Sequence, residues 1–407
     1  MALIKKPVTG MKDILPEEMA IRNYCIRVIR ETYAKFGFSS IETPAVEHIE
    51  NLLSKQGGEN EKLIFKILKR GEKLKLQEAE KEEDLTDSGL RYDLTLPLCR
   101  YYSAHAEELP SPFKALQIGN VFRADRPQRG RFRQFTQCDI DVLGDPSCLS
   151  EIDLILATTT VLSRLDFHNF TIRINDRRLL KEAAKRAGFE EKDYEKVFII
   201  LDKMDKIGME GVRKELLENY SESTVNSYLG RFRGHADSLT DEDIAFMQEV
   251  ESPLPEIIAT VDEVKTADFR IVYDPTLVRG MGYYTGPIFE IAMDEYGGSV
   301  GGGGRYDEMI GKFTGQPTPA VGFSIGFERI IMLLLEKGFR VPGEDRKRAV
   351  LIDKNVSAPR LAEIFREAME LRNQGQVVDI SRMKKNKKFQ KGQLTDAGFY
   401  DIDEYFE

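Results

Sequence analysis

The sequence has 407 residues, 41% hydrophobic and 31% charged, with a formal net charge of -9. That length accommodates two domains, and the acidic balance argues against a protein that coats nucleic acid nonspecifically while leaving room for a local basic face. No apolar run approaches a membrane span and the N-terminus lacks the apolar core of a signal peptide, so a cytoplasmic protein with no membrane partner is expected. Cys25, Cys99, Cys138 and Cys148 form no C-x-x-C pair, and His48, His105, His168 and His235 are widely spaced, so neither a disulfide framework nor a metal site is expected.

The first predicted element is a helix opening at Pro16. Glu17 and Glu18 suit the positive end of its dipole, and Ile21, Tyr24, Cys25, Val28, Ile29 and Thr32 recur at helical spacing up to Gly37. A short strand over residues 39–46 should follow, then a hairpin of residues 63–68 and 73–76 turning at Arg70-Gly71, then an acidic loop over 78–84. Residues 90–97 read as extended, with Asp93 and Thr95 on one face and Leu94 and Leu96 on the other.

Residues 115–144, ALQIGNVFRADRPQRGRFRQFTQCDIDVLG, read as two strands joined by a long charged turn. In the second strand the period of two sets Arg133, Phe135, Gln137, Asp139 and Asp141 on one face, and Gln134, Thr136, Cys138, Ile140 and Val142 on the other. The second face can pack on a core. The first carries a ring for stacking a base, an amide and carboxylates. Arg123 on the first strand and Arg131 in the turn add planar forks for phosphate oxygens.

A buried helix is predicted over residues 149–165 and a strand over 170–174. From about 181 to 252 the sequence becomes charged and helical, an insertion with Gly208 and Gly211 as punctuation. Strand pattern returns at 268–273, ahead of LVRGMGYYTG, which holds Arg279, Tyr283 and Tyr284. The glycine run over 297–304 lacks a following G-K-[ST] and reads as backbone that comes close to a ligand or another strand. Residues 319–335 run from strand into helix, with Arg329 near the helix start. Residues 338–348 are a linker. Beyond it, strands at 349–353, 376–380 and 400–406 alternate with helices at 359–373 and 389–396, a β-α-β order implying a small α/β domain.

FRADRPQRGRFRQFTQCDIDVLG resembles the second signature motif of class II aminoacyl-tRNA synthetases, in the form found in the histidyl-tRNA synthetase family. The helix and strand before Val46 resemble the first motif, and residues 319–329 the third. LVRGMGYYTG resembles a segment peculiar to this family, with Gly282 where the family usually has Asp. The resemblance implies an α+β fold: an antiparallel sheet flanked by helices over 1–337, with the helical insertion, and a short anticodon-binding-like domain over 349–407 that lacks the family's final strands. It implies that histidine is activated with ATP and passed to tRNA(His), with Mg²⁺ bridging the phosphates and a homodimer as the working form. Arg123 and Arg279 are then catalytic. Asp93, Leu94, Thr95, Gln137, Asp141, Tyr283 and Tyr284, with both arginines, hold histidine. Arg123, Arg131, Phe135 and Arg329 hold ATP. A second reading is a catalytically inactive paralogue that binds histidine as the regulatory subunit of ATP phosphoribosyltransferase.

Overall fold

In the computed structural model, which describes residues 3–54, 58–232, 239–279, 282–342 and 347–407, the chain opens on helix α1 (Pro16–Lys35). It buries Ile21, Cys25, Val28, Ile29 and Thr32 of the predicted stripe, with Tyr33 beside them, and Gly37 at φ 85° turns the chain away. Strands β1 (Ser39–Ser40) and β2 (Val46–His48), helix α2 (Ile49–Ser54), strands β3 (Lys66–Leu68) and β4 (Thr86–Leu90) and helix α3 (Thr95–His105) follow. Next come β5 (Phe113–Phe122), β6 (Gln134–Leu143), α4 (Leu149–Arg164) and β7 (Phe170–Asp176). Helices α5 (Arg177–Ala187), α6 (Tyr194–Leu201), α7 (Met204–Leu217), α8 (Glu222–Gly230), α9 (Asp241–Glu249) and α10 (Leu254–Val264) intervene before β8 (Phe269–Tyr273). Then β9 (Pro287–Met293), β10 (Gly298–Arg305), α11 (Glu308–Thr314), β11 (Ala320–Ile325) and α12 (Phe327–Glu336) complete this part.

Eight strands form one sheet in the order β1-β5-β6-β11-β10-β9-β7-β8. Its pairings are antiparallel except β1 with β5 and β7 with β8. The central pair has the expected alternation: Cys138, Ile140 and Val142 are fully buried on the core side, which α4 helps to cover with Leu154, Ile155 and Leu162. With β5 and β6 paired so that Gly119 faces Gln137 and Val121 faces Phe135, the other side is left for the site.

Three local expectations are corrected. Residues 39–46 form strand only at their two ends, in β1 and β2. Residues 73–76 are not a strand, and β3 pairs with β4 instead. Gly89 in β4 explains the choice, since a Cβ there would lie 2.8 Å from Leu52, whereas Leu76 stays exposed. Residues 95–97 begin α3 rather than continuing extended. Asp93 Oδ1 accepts the Leu96 amide at 3.0 Å, and Pro97 falls in the first turn, where no N–H is needed.

By its contacts the chain divides into two compact units, Met1–Asp13 with Cys25–Leu333, and Ile14–Tyr24 with Leu334–Glu407. The second contains β12 (Lys347–Ile352), α13 (Ala358–Asn373), β13 (Val377–Arg382), α14 (Lys387–Asp396) and β14 (Asp401–Tyr405). Its strands lie parallel in the order β13-β12-β14, and Val350, Ile352, Ile364 and Ala368 form its core. The expected linker lies partly outside the described residues, at 343–346, as do His235 and Gly280-Met281.

Candidate active site

The site begins with what glycine leaves out. On β10, a Cβ at Gly303 would lie 1.9 Å from the Gly322 carbonyl oxygen, so β10 and β11 meet there only because residue 303 has no side chain. A Cβ at Gly302 would lie 2.4 Å from Arg279 Nη2, at Gly304 2.9 Å from Tyr284, and at Gly322 2.0 Å from Asp141 Oδ1. These glycines form a floor on which larger polar side chains rest. Above it is a cavity of about 530 Å³ within the first unit.

Carboxylates gather in part of that cavity. Asp93, Asp139 and Asp141 all line it and are nearly buried. Tyr306 donates to Asp141 at 2.5 Å, and Ser324 donates to Asp139 at 2.5 Å. Burial, followed by repulsion from Asp141, pushes the Asp139 carboxyl up to about 8. Gln137 donates weakly to Asp139, while its Oε1 is buried with no partner. Tyr283 and Tyr284 stand beside them with ring centroids 4.5 Å apart, and burial raises both phenols.

Guanidinium groups gather as well. Arg123 lies over Tyr92 at 4.1 Å and Phe135 at 5.2 Å, and its Nε donates to the Tyr92 carbonyl at 3.1 Å. Arg329 donates to the Ser299 carbonyl at 2.5 Å. Burial lowers its pKa, and the nearby charges of Arg131 and Arg279 lower it further. Arg279 Nη2 meets Ser299 Oγ at 2.7 Å, the Gly301 carbonyl at 2.7 Å and Glu290 Oε2 at 3.2 Å. Its Nε is buried without a partner. Mutually repelling cations with an unused donor suit a polyanion, and crowded carboxylates with an unused acceptor suit a cationic ligand.

A family model described as histidyl-tRNA synthetase matches residues 10–330. The chain belongs to the histidyl-tRNA synthetase family. A histidine--tRNA ligase from Leifsonia xyli is 41% identical over 97% of this chain and 93% of its own length. A probable histidine--tRNA ligase from Tropheryma whipplei is 43% identical, covering 86% of this chain and 84% of its own. Among solved structures, histidyl-tRNA synthetase from Nostoc superposes with a TM-score of 0.78 at 27% identity, over 98% of this chain and 90% of that one. A Bacillus halodurans protein described as an ATP phosphoribosyltransferase regulatory subunit/histidyl-tRNA synthetase shares the fold, with a TM-score of 0.76 at 20% identity over 99% of both chains.

Of the residues expected from the histidyl-tRNA synthetase resemblance, Asp93, Thr95, Arg123, Arg131, Phe135, Gln137, Asp141, Arg279, Tyr283, Tyr284 and Arg329 all line the one cavity. Leu94 does not. Its side chain is 1% exposed in the core, and only its carbonyl is used, accepting from Gln117 at 3.1 Å. Arg133 leaves the expected face too: its Nε donates to the Asp125 carbonyl at 3.1 Å and its Nη1 to the Thr9 carbonyl at 3.4 Å, which ties down the N-terminal segment. Asp139 received no role from the sequence although the period of two marked its face. Tyr306 and Ser324 were missed, because their contacts cross more than 160 residues. At Gly282 the backbone is not left-handed, and a Cβ would rest 3.4 Å from Glu195 Oε2, so neither conformation nor space demands glycine. The loop around it is anchored independently, by the Arg177 amide donating to the Gly286 carbonyl at 3.0 Å.

Proposed function

We propose that this protein is a histidine–tRNA ligase that activates histidine with ATP and transfers it to tRNA(His). The observation that carries the reading is the pairing, within one cavity, of the partnerless Arg279 Nε with the partnerless Gln137 Oε1. One awaits an oxygen anion and the other a hydrogen-bond donor, and histidine with ATP supplies both.

In this reading Gln137, Asp93 and Thr95 receive the α-ammonium group, while Asp141, held by Tyr306, and the two tyrosines enclose the imidazole. The histidine carboxylate oxygen attacks the α-phosphorus of ATP, the bond to the bridging oxygen breaks, and pyrophosphate leaves with that electron pair. Arg123 and Arg279 offset the charge that builds on the α-phosphate oxygens; a preorganised donor of this kind is worth roughly a hundredfold to a thousandfold in rate. Phe135 stacks on adenine, and Arg131 and Arg329 hold the outer phosphates. The terminal ribose hydroxyl of tRNA then attacks the carbonyl carbon and AMP departs.

Asp125 and Glu328, both on the lining, would supply hard carboxylate oxygens for Mg²⁺, Glu328 through the oxygen not already accepting the Thr136 amide, a donor set that suits an ion held mostly through phosphates. When bound, it neutralises phosphate charge. We further propose that the working form is a cytoplasmic homodimer and that residues 349–407 serve as the tRNA-binding domain. Among the described residues no helix is long and apolar enough to cross a membrane.

The test is histidine-dependent exchange of labelled pyrophosphate into ATP, followed by charging of tRNA. Exchange with histidine alone among the common amino acids is expected. Histidine binding with no exchange would point to the regulatory paralogue.

A further inference from the structure

Three neighbouring strands set up a row of charge beneath the cavity. Across β7 and β9, Arg173 is the direct cross-strand partner of Glu290, and across β9 and β10 the partner of Glu290 is Gly302. Because residue 302 has no side chain, the guanidinium of Arg279 lies over that position and takes its place in the row. Glu290 therefore stands between two arginines, with Oε2 at 3.2 Å from Arg279 Nη2 and Oε1 at 3.4 Å from Arg173 Nη1. Ser299 Oγ and the Gly301 carbonyl hold the same Nη2, but Glu290 supplies the negative charge among these three acceptors.

The row continues into the helical insertion. Arg173 Nη1 meets Asp205 Oδ2 of α7 at 2.8 Å, and its Nε donates to Asp274 at 2.5 Å. Asp202, just beyond α6, feels the same row: its carboxyl is raised by burial, then by the charges of Glu290 and Asp205, with Lys206 and Arg279 opposing the rise. The α6–α7 corner of the insertion thus lies against the group that holds Arg279 from behind.

We propose that Glu290 is a positioning residue for Arg279, and that through Arg173 and Asp205 the insertion bears on how that arginine is aimed. The proposal rests on reading Arg279 as the arginine that acts in histidine activation. A guanidinium fixed at one nitrogen by a carboxylate presents Nε in a single direction; with that charge removed, it is free to swing towards other acceptors on its flexible stem.

The experiment uses the full chain and compares Glu290→Gln, Arg279→Lys, Asp205→Ala and the Glu290→Gln/Asp205→Ala double variant in histidine-dependent pyrophosphate exchange. Glu290→Gln keeps the side-chain volume and one acceptor while losing the charge. Its kcat should fall about tenfold or more, with KM for histidine within about threefold, the pattern of an interaction that matters in the transition state. Asp205→Ala should lower kcat about threefold alone and add nothing further in the Glu290→Gln background, the non-additivity of a shared network. Thermal unfolding separates these effects from loss of fold. A slow Arg279→Lys beside a Glu290→Gln of wild-type kcat would overturn the proposal, as would a variant that changes only Tm. Independent, additive losses would overturn the link to the insertion. An Arg279→Lys with near wild-type kcat would instead overturn the reading of Arg279 itself.

Discussion

Gly302→Ala tests whether the glycine floor is there to seat Arg279. The added methyl would lie 2.4 Å from Arg279 Nη2 and 2.5 Å from the Phe289 carbonyl oxygen, where ordinary contact begins at 3.4 Å. The guanidinium, the end of a flexible side chain, must retreat by about 1 Å, a displacement that costs on the order of a hundredfold in rate when it misaims a catalytic group, and the carbonyl of the paired strand obliges residue 302 to shift as well. The crowding itself should cost about 1–3 kcal/mol of stability. Gly298→Ala, on the same strand, meets nothing closer than 3.8 Å and serves as the control. The assay is histidine-dependent pyrophosphate exchange on proteins whose folding has been confirmed by circular dichroism and thermal melting. A folded Gly302→Ala protein exchanging within about threefold of wild type would refute the reasoning, because the displacement would then have no bearing on chemistry.

Asp139→Asn should change the pH dependence of stability. Since the folded protein raises this carboxyl from 3.8 to about 8, it favours the protonated form, and stability is lost as pH rises across that range. Removing the group should flatten the decline by up to about 1.4 kcal/mol per pH unit, read from urea unfolding at pH 5.5, 7 and 8.5; parallel curves would contradict the assignment. Gly282→Ala should leave exchange within about twofold and add up to about 1 kcal/mol of stability, because neither its backbone nor its surroundings require glycine. A large loss of exchange would show that the loop needs freedom there. In the second unit Lys387 and Lys391 both pair with Glu404, so Lys384, Lys385 and Lys388 carry the basic character of that run. Reversing those three to Glu should weaken charging at low tRNA concentration and reduce its salt slope by roughly one per lysine, with exchange untouched; equal loss in both assays would place them outside tRNA binding.

The catalytic half was legible wherever one strand decided its own faces. Period-two alternation was enough to separate Cys138 and Ile140 from Gln137 and Asp141, and the glycine run was rightly read as close backbone approach. It failed where a partner from far along the chain chose the outcome. Residues 73–76 alternate like a strand, yet β4 gives β3 a neighbour that packs on Leu52 and Ile64, and no such cover exists for Leu76. Asp93 looked like a side chain on an extended segment; it also caps a helix whose buried Leu98 and Cys99 made it form. Glu290 carried no signal, because its meaning comes from the two strands flanking it.

Strands β7 and β8 are parallel neighbours, and parallel neighbours need a crossover long enough to bring the chain back to its starting end. Helix α10, which packs on α4, β7 and β8, already provides that return path immediately before β8. The remaining helices between β7 and α10 are therefore a detour within an ordinary β-α-β crossover. Lengthening such a detour costs little in closure entropy, about 0.6 kcal/mol for each doubling. This is a place where the chain can carry an inserted helical module while the sheet that performs activation keeps its register. The same economy sets a boundary for minimisation: α10 must stay, and so must the α7 segment that brings Asp205 to Arg173.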